Sequence, residues 1–209
     1  MTRVFRSLAL IVLAGSTSAA TYVTAQDRET RIGAEAGINL ASFNGDGVGN
    51  SDTRTGFVAG AYLTLRLHRN FAIEPHLLYS QQGAEATVDV IQGTFKLDYL
   101  QVPVLFKALF PLSGSPSTRP FLAAGPALGF KVGCKVNVIL SIDCDTIGLP
   151  IRDTDFSVVA AGGIEVADFV LSIRYGLGVS SIVDTSPSIS VTNRVLSFLV
   201  GYGFRFGPQ

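Results

Sequence analysis

Apolar residues recur at every second position in a series of short stretches along this chain. In Arg31 to Ala41, Ile32, Ala34, Ala36, Ile38 and Leu40 share one face, and Gly33, Glu35, Gly37 and Asn39 take the other. That is the period of a strand with one apolar and one polar or small face. Thr55 to Leu67 repeats it, with Phe57, Ala59, Ala61, Leu63, Leu65 and Leu67 against Gly60, Tyr62, Thr64 and Arg66. Further stretches run over Phe71 to Ser80, Thr94 to Lys107, Pro120 to Val132, Asp155 to Val166, Phe169 to Val179 and Asn193 to Phe206.

Two stretches break the pattern. Pro75 removes a ladder donor, so a bulge is expected there. In Thr94 to Lys107, Lys96 and Asp98 share parity with Leu100, Val102, Val104 and Phe106, and a bulge near Tyr99 to Pro103 would take them off the apolar face.

The connections alternate in length. His68-Arg69-Asn70 and Ala167-Asp168 are tight and Phe110 to Arg119 is moderate, whereas Ser42 to Asp52, Gly83 to Gly93, Gly133 to Asp153 and Ser180 to Thr192 are long. Short turns at one end and long loops at the other are the habit of outer-membrane barrels. The fold expected is therefore all-β: an eight-stranded antiparallel up-and-down transmembrane β-barrel with short periplasmic turns and long external loops.

Charge decides which face meets lipid. A Lys or Arg on the lipid side at the midplane costs about 2 to 4 kcal/mol, and Glu35, Arg66, Glu74, Lys131, Asp155, Glu165, Arg174 and Arg205 all fall on the minority face. With His76 they are expected to form a polar network filling the lumen. Arg194 is an outward exception at the external end, where the cost vanishes. Outward aromatics gather in two sets, Phe57, Tyr79, Phe130 and Phe156 at one rim and Phe71, Phe169, Phe204 and Phe206 at the other, as interfacial girdles do. A soluble barrel of lipocalin type would need this minority face to solvate it, and it is too poor in Lys and Glu.

Composition agrees. Charged residues are 15% of 209, yet no apolar run reaches the ~18 residues of a membrane helix. Residues 1–25 read as a cleaved signal peptide: Arg3 and Arg6, an apolar core from Leu8 to Ala14, and small residues ending in Val23-Thr24-Ala25. Cleavage is expected after Ala25, with Ala20 as the alternative, leaving 26–209 as the barrel domain. The chain then carries 14 basic against 16 acidic residues, which excludes nucleic acid as a partner.

Candidate chemistry is sparse. Cys134 and Cys144 share the third long loop, and an oxidising compartment favours a disulfide over a reactive thiol pair. Glu74 and His76 lie on one face and suit either an acid-base pair or the lumen network, and no third group is fixed beside them. No catalytic residue, cofactor or metal set is assigned, so an enzyme is not expected.

Several segments resemble the outer-membrane β-barrel domain proteins, the porin-family or PorT-like group. They are Gly33-Ala34-Glu35-Ala36-Gly37-Ile38-Asn39, the run Glu74 to Gly83, Leu97-Asp98-Tyr99-Leu100-Gln101-Val102-Pro103, Arg119 to Pro126, Arg174-Tyr175-Gly176-Leu177-Gly178 and Gly201-Tyr202-Gly203-Phe204-Arg205-Phe206. The resemblance implies a Gram-negative outer membrane, eight strands and no single shared activity. It implies contact with outer-membrane lipid and lipopolysaccharide, and passage through periplasmic chaperones to the barrel-insertion machinery, with Phe206 as the C-terminal insertion signal. Three roles follow: a structural or interaction scaffold working through its external loops toward an unknown protein partner, a narrow porin-like pore, or a lipid-modifying enzyme. The side-chain-filled lumen favours the first, since about eight strands leave an interior only wide enough for side chains.

Overall fold

A computed structural model describes residues 30–45, 51–88, 91–115, 117–137, 141–144, 152–180 and 191–206. The expected signal peptide and its cleavage point lie outside the described residues. The strands are β1 (Thr30–Gly45), β2 (Ser51–His68), β3 (Phe71–Val88), β4 (Ile91–Leu109), β5 (Thr118–Asn137), β6 (Ser141–Asp143), β7 (Thr154–Val166), β8 (Phe169–Gly178) and β9 (Val191–Phe206). Each of the eight long strands pairs antiparallel with its neighbours, and β1 pairs β9 from Thr30↔Phe206 to Gly45↔Val191, closing the sheet. Closure leaves no open edge, the condition for strands to cross hydrocarbon. The three-residue β6 lies outside this ring, paired to the end of β5 above the point where β5 leaves β7.

The period of two has become inside and outside. Ile32, Ile38, Leu77, Leu122, Ile173 and Val200 are half-exposed on the outer wall, while Glu35, Asn39, Glu74, His76, Ser172 and Arg174 are buried within. Phe57, Phe130 and Phe156 stand exposed toward one rim, with the Tyr79 ring tilted against Phe57 at 5.4 Å. Phe71, Phe169 and Phe204 stand exposed at the other, where Tyr202 bridges Phe169 and Phe204 at 5.0 and 4.9 Å. On β3 the interval from Phe71 to Tyr79 is nine residues, the length of a tilted transmembrane strand.

Short turns close one end. Arg69-Asn70 joins β2 to β3, and Ala167-Asp168 joins β7 to β8 with Ala167 at φ 54°. The opposite end differs from expectation, because strand replaces much of what the sequence suggested was loop. β3 and β4 are separated only by residues 89 and 90, and β1, β2 and β5 likewise run on past their expected ends. These extensions rise beyond the upper aromatic rim.

Both expected bulges are corrected. At Pro75 the β3–β4 register runs unbroken, and the β2–β3 register is the same on either side, from Tyr62↔His76 to Leu65↔Ile73. Pro75 therefore sits in a regular strand that forgoes a ladder bond. In β4 the irregularity falls between Asp98 and Tyr99, and the extra residue belongs to β5, at Val132. β4 itself keeps strict alternation, with Leu97, Tyr99, Pro103, Leu105, Lys107 and Leu109 buried. Lys96 and Asp98 thus stay on the outward parity, without the lipid penalty, because they lie above the rung Leu100↔Phe130 at the aromatic rim.

Depth dependence gives a direct test of this placement. Ile173→Arg, in the middle of the apolar band, should destabilise the barrel by about 2 to 4 kcal/mol, and Val132→Arg, above the rim, by no more than about 1. Equilibrium unfolding in phospholipid vesicles measures both.

Candidate functional site: a layered lumen

Inward side chains from the strands meet in three layers. The layer nearer the short turns holds two groups of buried ion pairs joined through His76. Arg174 on β8 donates two hydrogen bonds to Glu35 on β1, at 2.8 and 2.7 Å, a bidentate geometry. His76 Nδ1 lies 3.0 Å from Glu35 Oε1, and its Nε2 lies 3.9 Å from Glu74 Oε2. Glu74 accepts from Lys107 Nζ at 3.0 Å and from the Thr64 hydroxyl at 2.6 Å. Lys107 also reaches Glu165 at 2.7 Å, and Arg66 and Arg119 reach the same carboxylate at 3.3 and 3.4 Å. Seven of the eight barrel strands supply a member. Among the described residues β9 supplies no member, and its Ser197 donates instead to Asn39 at 2.7 Å.

Beside this chain the lumen is apolar. Leu105, Leu109, Phe121, Ala123 and Val159 form a buried cluster, and Lys107 Nζ sits 3.9 Å over the Phe121 ring. Tyr62 fills the opposite side by lying across Gly33, where any side chain would collide with its ring. That contact requires glycine at 33.

Above the ion pairs is a cavity of about 40 Å³, whose lining includes Gln82, Asp155, Ser157, Arg174 and Asn193. It has room for a few waters. Its upper wall is polar: Asp155 accepts from Ser180 at 3.1 Å and from Asn193 at 3.4 Å, and Asn39 and Gln82 each donate to Ser80. The third layer is an apolar cap in which Leu97, Tyr99 and Val191 are packed with Phe43 and Cys134. Cys134 is disulfide-bonded to buried Cys144, with Cα atoms 5.5 Å apart, so the bridge ties the β5–β6 hairpin down at this cap.

Of the residues expected in the lumen network, Glu35, Arg66, Glu74, His76, Glu165 and Arg174 form the chain just described. Asp155 is inside but in the upper layer. Lys131 points inward and turns to the rim, where it pairs with the exposed Asp153 at 3.0 Å. Arg205 does not join the network: it lies at the mouth beside the short turns, over half exposed, and pairs with Asp168 at 3.0 Å. Its parity is inward, but the penultimate residue of β9 has no lumen left to enter. Phe206 ends β9 opposite Thr30.

The sequence reasoning missed Lys107, Thr64 and Arg119. The signal for Lys107 was its parity with Leu97, Tyr99 and Leu105, obscured by expecting a bulge between them. Glu74 and His76 both belong to the ion-pair chain, and His76 Nε2, buried and without a hydrogen-bond partner, faces Glu74 at 3.9 Å.

Breaking a buried pair costs far more than removing it whole. Glu35→Leu alone should destabilise the barrel by about 3 to 5 kcal/mol, and adding Arg174→Met should recover most of that loss. Urea unfolding of the single and double variants in vesicles completes the cycle.

Comparison with known proteins bears on this architecture. Residues 24–184 match the model of the outer membrane protein beta-barrel domain. No curated protein matches the sequence. Among solved structures, neisserial surface protein A is 16% identical with a TM-score of 0.50, covering 84% of this chain and 97% of that one. OprG from Pseudomonas aeruginosa is 11% identical with a TM-score of 0.50, covering 87% and 97%. Ail, the attachment invasion locus protein of Yersinia pestis, is 18% identical with a TM-score of 0.45, covering 84% and 99%. At these identities neisserial surface protein A and OprG speak for the fold alone. With the closed eight-stranded ring, the girdled apolar wall and the matched family model, this chain belongs to the outer membrane β-barrel domain family.

Proposed function

We propose that this protein is a non-conducting outer-membrane scaffold that works through its external hairpins, with no catalytic role. The observation that carries this reading is the chain of buried ion pairs from Arg174 to Glu165, which draws on seven strands and crosses the lumen beneath an apolar cap. A solute would have to displace both layers, and the space between them is about 40 Å³. Side chains, not water, fill an eight-stranded interior.

The extended ends of β1 to β5 support the second half of the reading. Strand that rises past the aromatic rim holds its tips on a rigid wall, as suits presenting a surface to a protein partner or to the lipopolysaccharide around it. In this reading residues 1–25 export the chain, periplasmic chaperones deliver it, and Phe206 is read by the insertion machinery.

Refolded protein in a planar bilayer should remain electrically silent under voltages that open porins. Steady single-channel conductance would replace the scaffold with a narrow pore. Photo-crosslinkers placed at exposed positions of the upper wall, such as Thr53 and Val132, should yield adducts in intact cells, while one at Arg69 on the opposite turn should yield none of the same species.

A further inference from the structure

We propose that the chain closes its own mouth beside the short turns: residues 27–29 continue β1 along the end of β2, and the Glu29 and Asp27 carboxylates supply counter-charge to the arginines there. Among the described residues this mouth carries more positive than negative charge. Arg31, Arg66 and Arg119 point into it and Arg205 stands at its edge, against the carboxylates of Glu165 and Asp168. Arg31 and Arg66 are only 4% and 8% exposed, and Arg31 reaches the turn between β7 and β8, where it donates to the Ala167 carbonyl at 3.4 Å. Arg31 is also directly opposite Arg205 on the neighbouring strand, a position in which like charges repel. Further negative charge at this mouth relieves both the burial and the repulsion.

The end of β2 provides the place for it. The β1–β2 register runs without a shift from Ala41↔Arg54 to Thr30↔Leu65, and β2 then goes on through Arg66, Leu67 and His68. Continued upstream from Thr30, that register sets Glu29 opposite Arg66, Arg28 opposite Leu67 and Asp27 opposite His68. Parity decides the direction of each. Arg31, Gly33 and Glu35 are buried on the inner side of β1, and Ile32 and Ala34 are exposed outside, so positions 29 and 27 turn inward and position 28 outward. Glu29 then stands across the ladder from Arg66 and two residues along the same face from Arg31. Opposite charges directly across an antiparallel pair stabilise it, and their attraction grows as water is withdrawn.

An anion from outside would meet the same arginines. The chain's own carboxylates have the advantage of being tethered immediately before β1, so their local concentration at the mouth exceeds that of a dilute solute. Nothing in the sequence marks the destination of Asp27 and Glu29, because it depends on how far β2 outruns the rung Thr30↔Leu65.

Solution NMR of the full mature barrel refolded in micelles tests the docking without any substitution. Backbone contacts between Glu29 and Arg66 and between Asp27 and His68 should be as strong as those between Ile32 and Leu63, which are partners in the same ladder. Thermal unfolding supplies a second readout. The combined change Asp27→Asn with Glu29→Gln should lower the midpoint by about 3 °C, and Arg28→Gln, on the outer parity, should leave it unchanged. Inorganic phosphate, against chloride of equal ionic strength, should not move the midpoint of the unaltered protein and should raise that of the doubly changed one by about 2 °C, since the vacated mouth then accepts an outside anion. Absent cross-strand contacts, an unchanged midpoint in the doubly changed protein, or a phosphate rise equal in both proteins would each overturn the proposal, the last by assigning the arginines to a soluble anion.

Discussion

A charge on the inner face of an eight-stranded barrel can be satisfied only by another inner side chain, because outward lies hydrocarbon and inward there is almost no water. Everything else about this lumen follows from that constraint. Glu35 needs Arg174 and His76, Glu74 needs Lys107 and Thr64, and Glu165 draws Lys107, Arg66 and Arg119. Since the members come from seven strands, satisfying the charges also ties the strands to one another across the barrel. The same arithmetic makes the network costly to break and cheap to replace as a whole.

The layering divides the molecule by chemistry. Ion pairs and an apolar cluster fill the half near the short turns, a small polar cavity follows, and an apolar cap with a disulfide closes the other half. An interior so filled adds rigidity to the wall. The hairpins above the cap inherit that rigidity, and they are the part of the protein whose shape is free of the demands of the bilayer.

The wall was legible in the sequence because lipid enforces it at every second residue. Ile38, Leu77 and Ile173 could be placed outside, and Glu35, Glu74 and Arg174 inside, from parity alone. Legibility failed where the bilayer stops enforcing the pattern. Ser51-Asp52-Thr53 is strand with water available on its outer side, so no alternation marks it, and Gly83, where a long connection was expected to begin, stands inside β3 at φ 121°, beside the β2–β3 register shift between Thr53 and Val58. The pairing partners within the lumen were invisible for a different reason. Glu35 and Arg174 are separated by 139 positions, and only closure of the ring brings them together. Arg205 shows the limit from the other side, since its parity was right and its depth was not.

If buried ion pairs hold the lumen shut, side chains such as Arg174 are immobile and shielded from water. Side-chain nitrogen NMR of Arg174 in the folded barrel tests it most directly. A guanidinium clamped on Glu35 should give separate resonances for its terminal nitrogens and slow exchange of their protons with solvent. A single averaged resonance in rapid exchange with water would mean a mobile, wet interior that ion pairs do not hold shut.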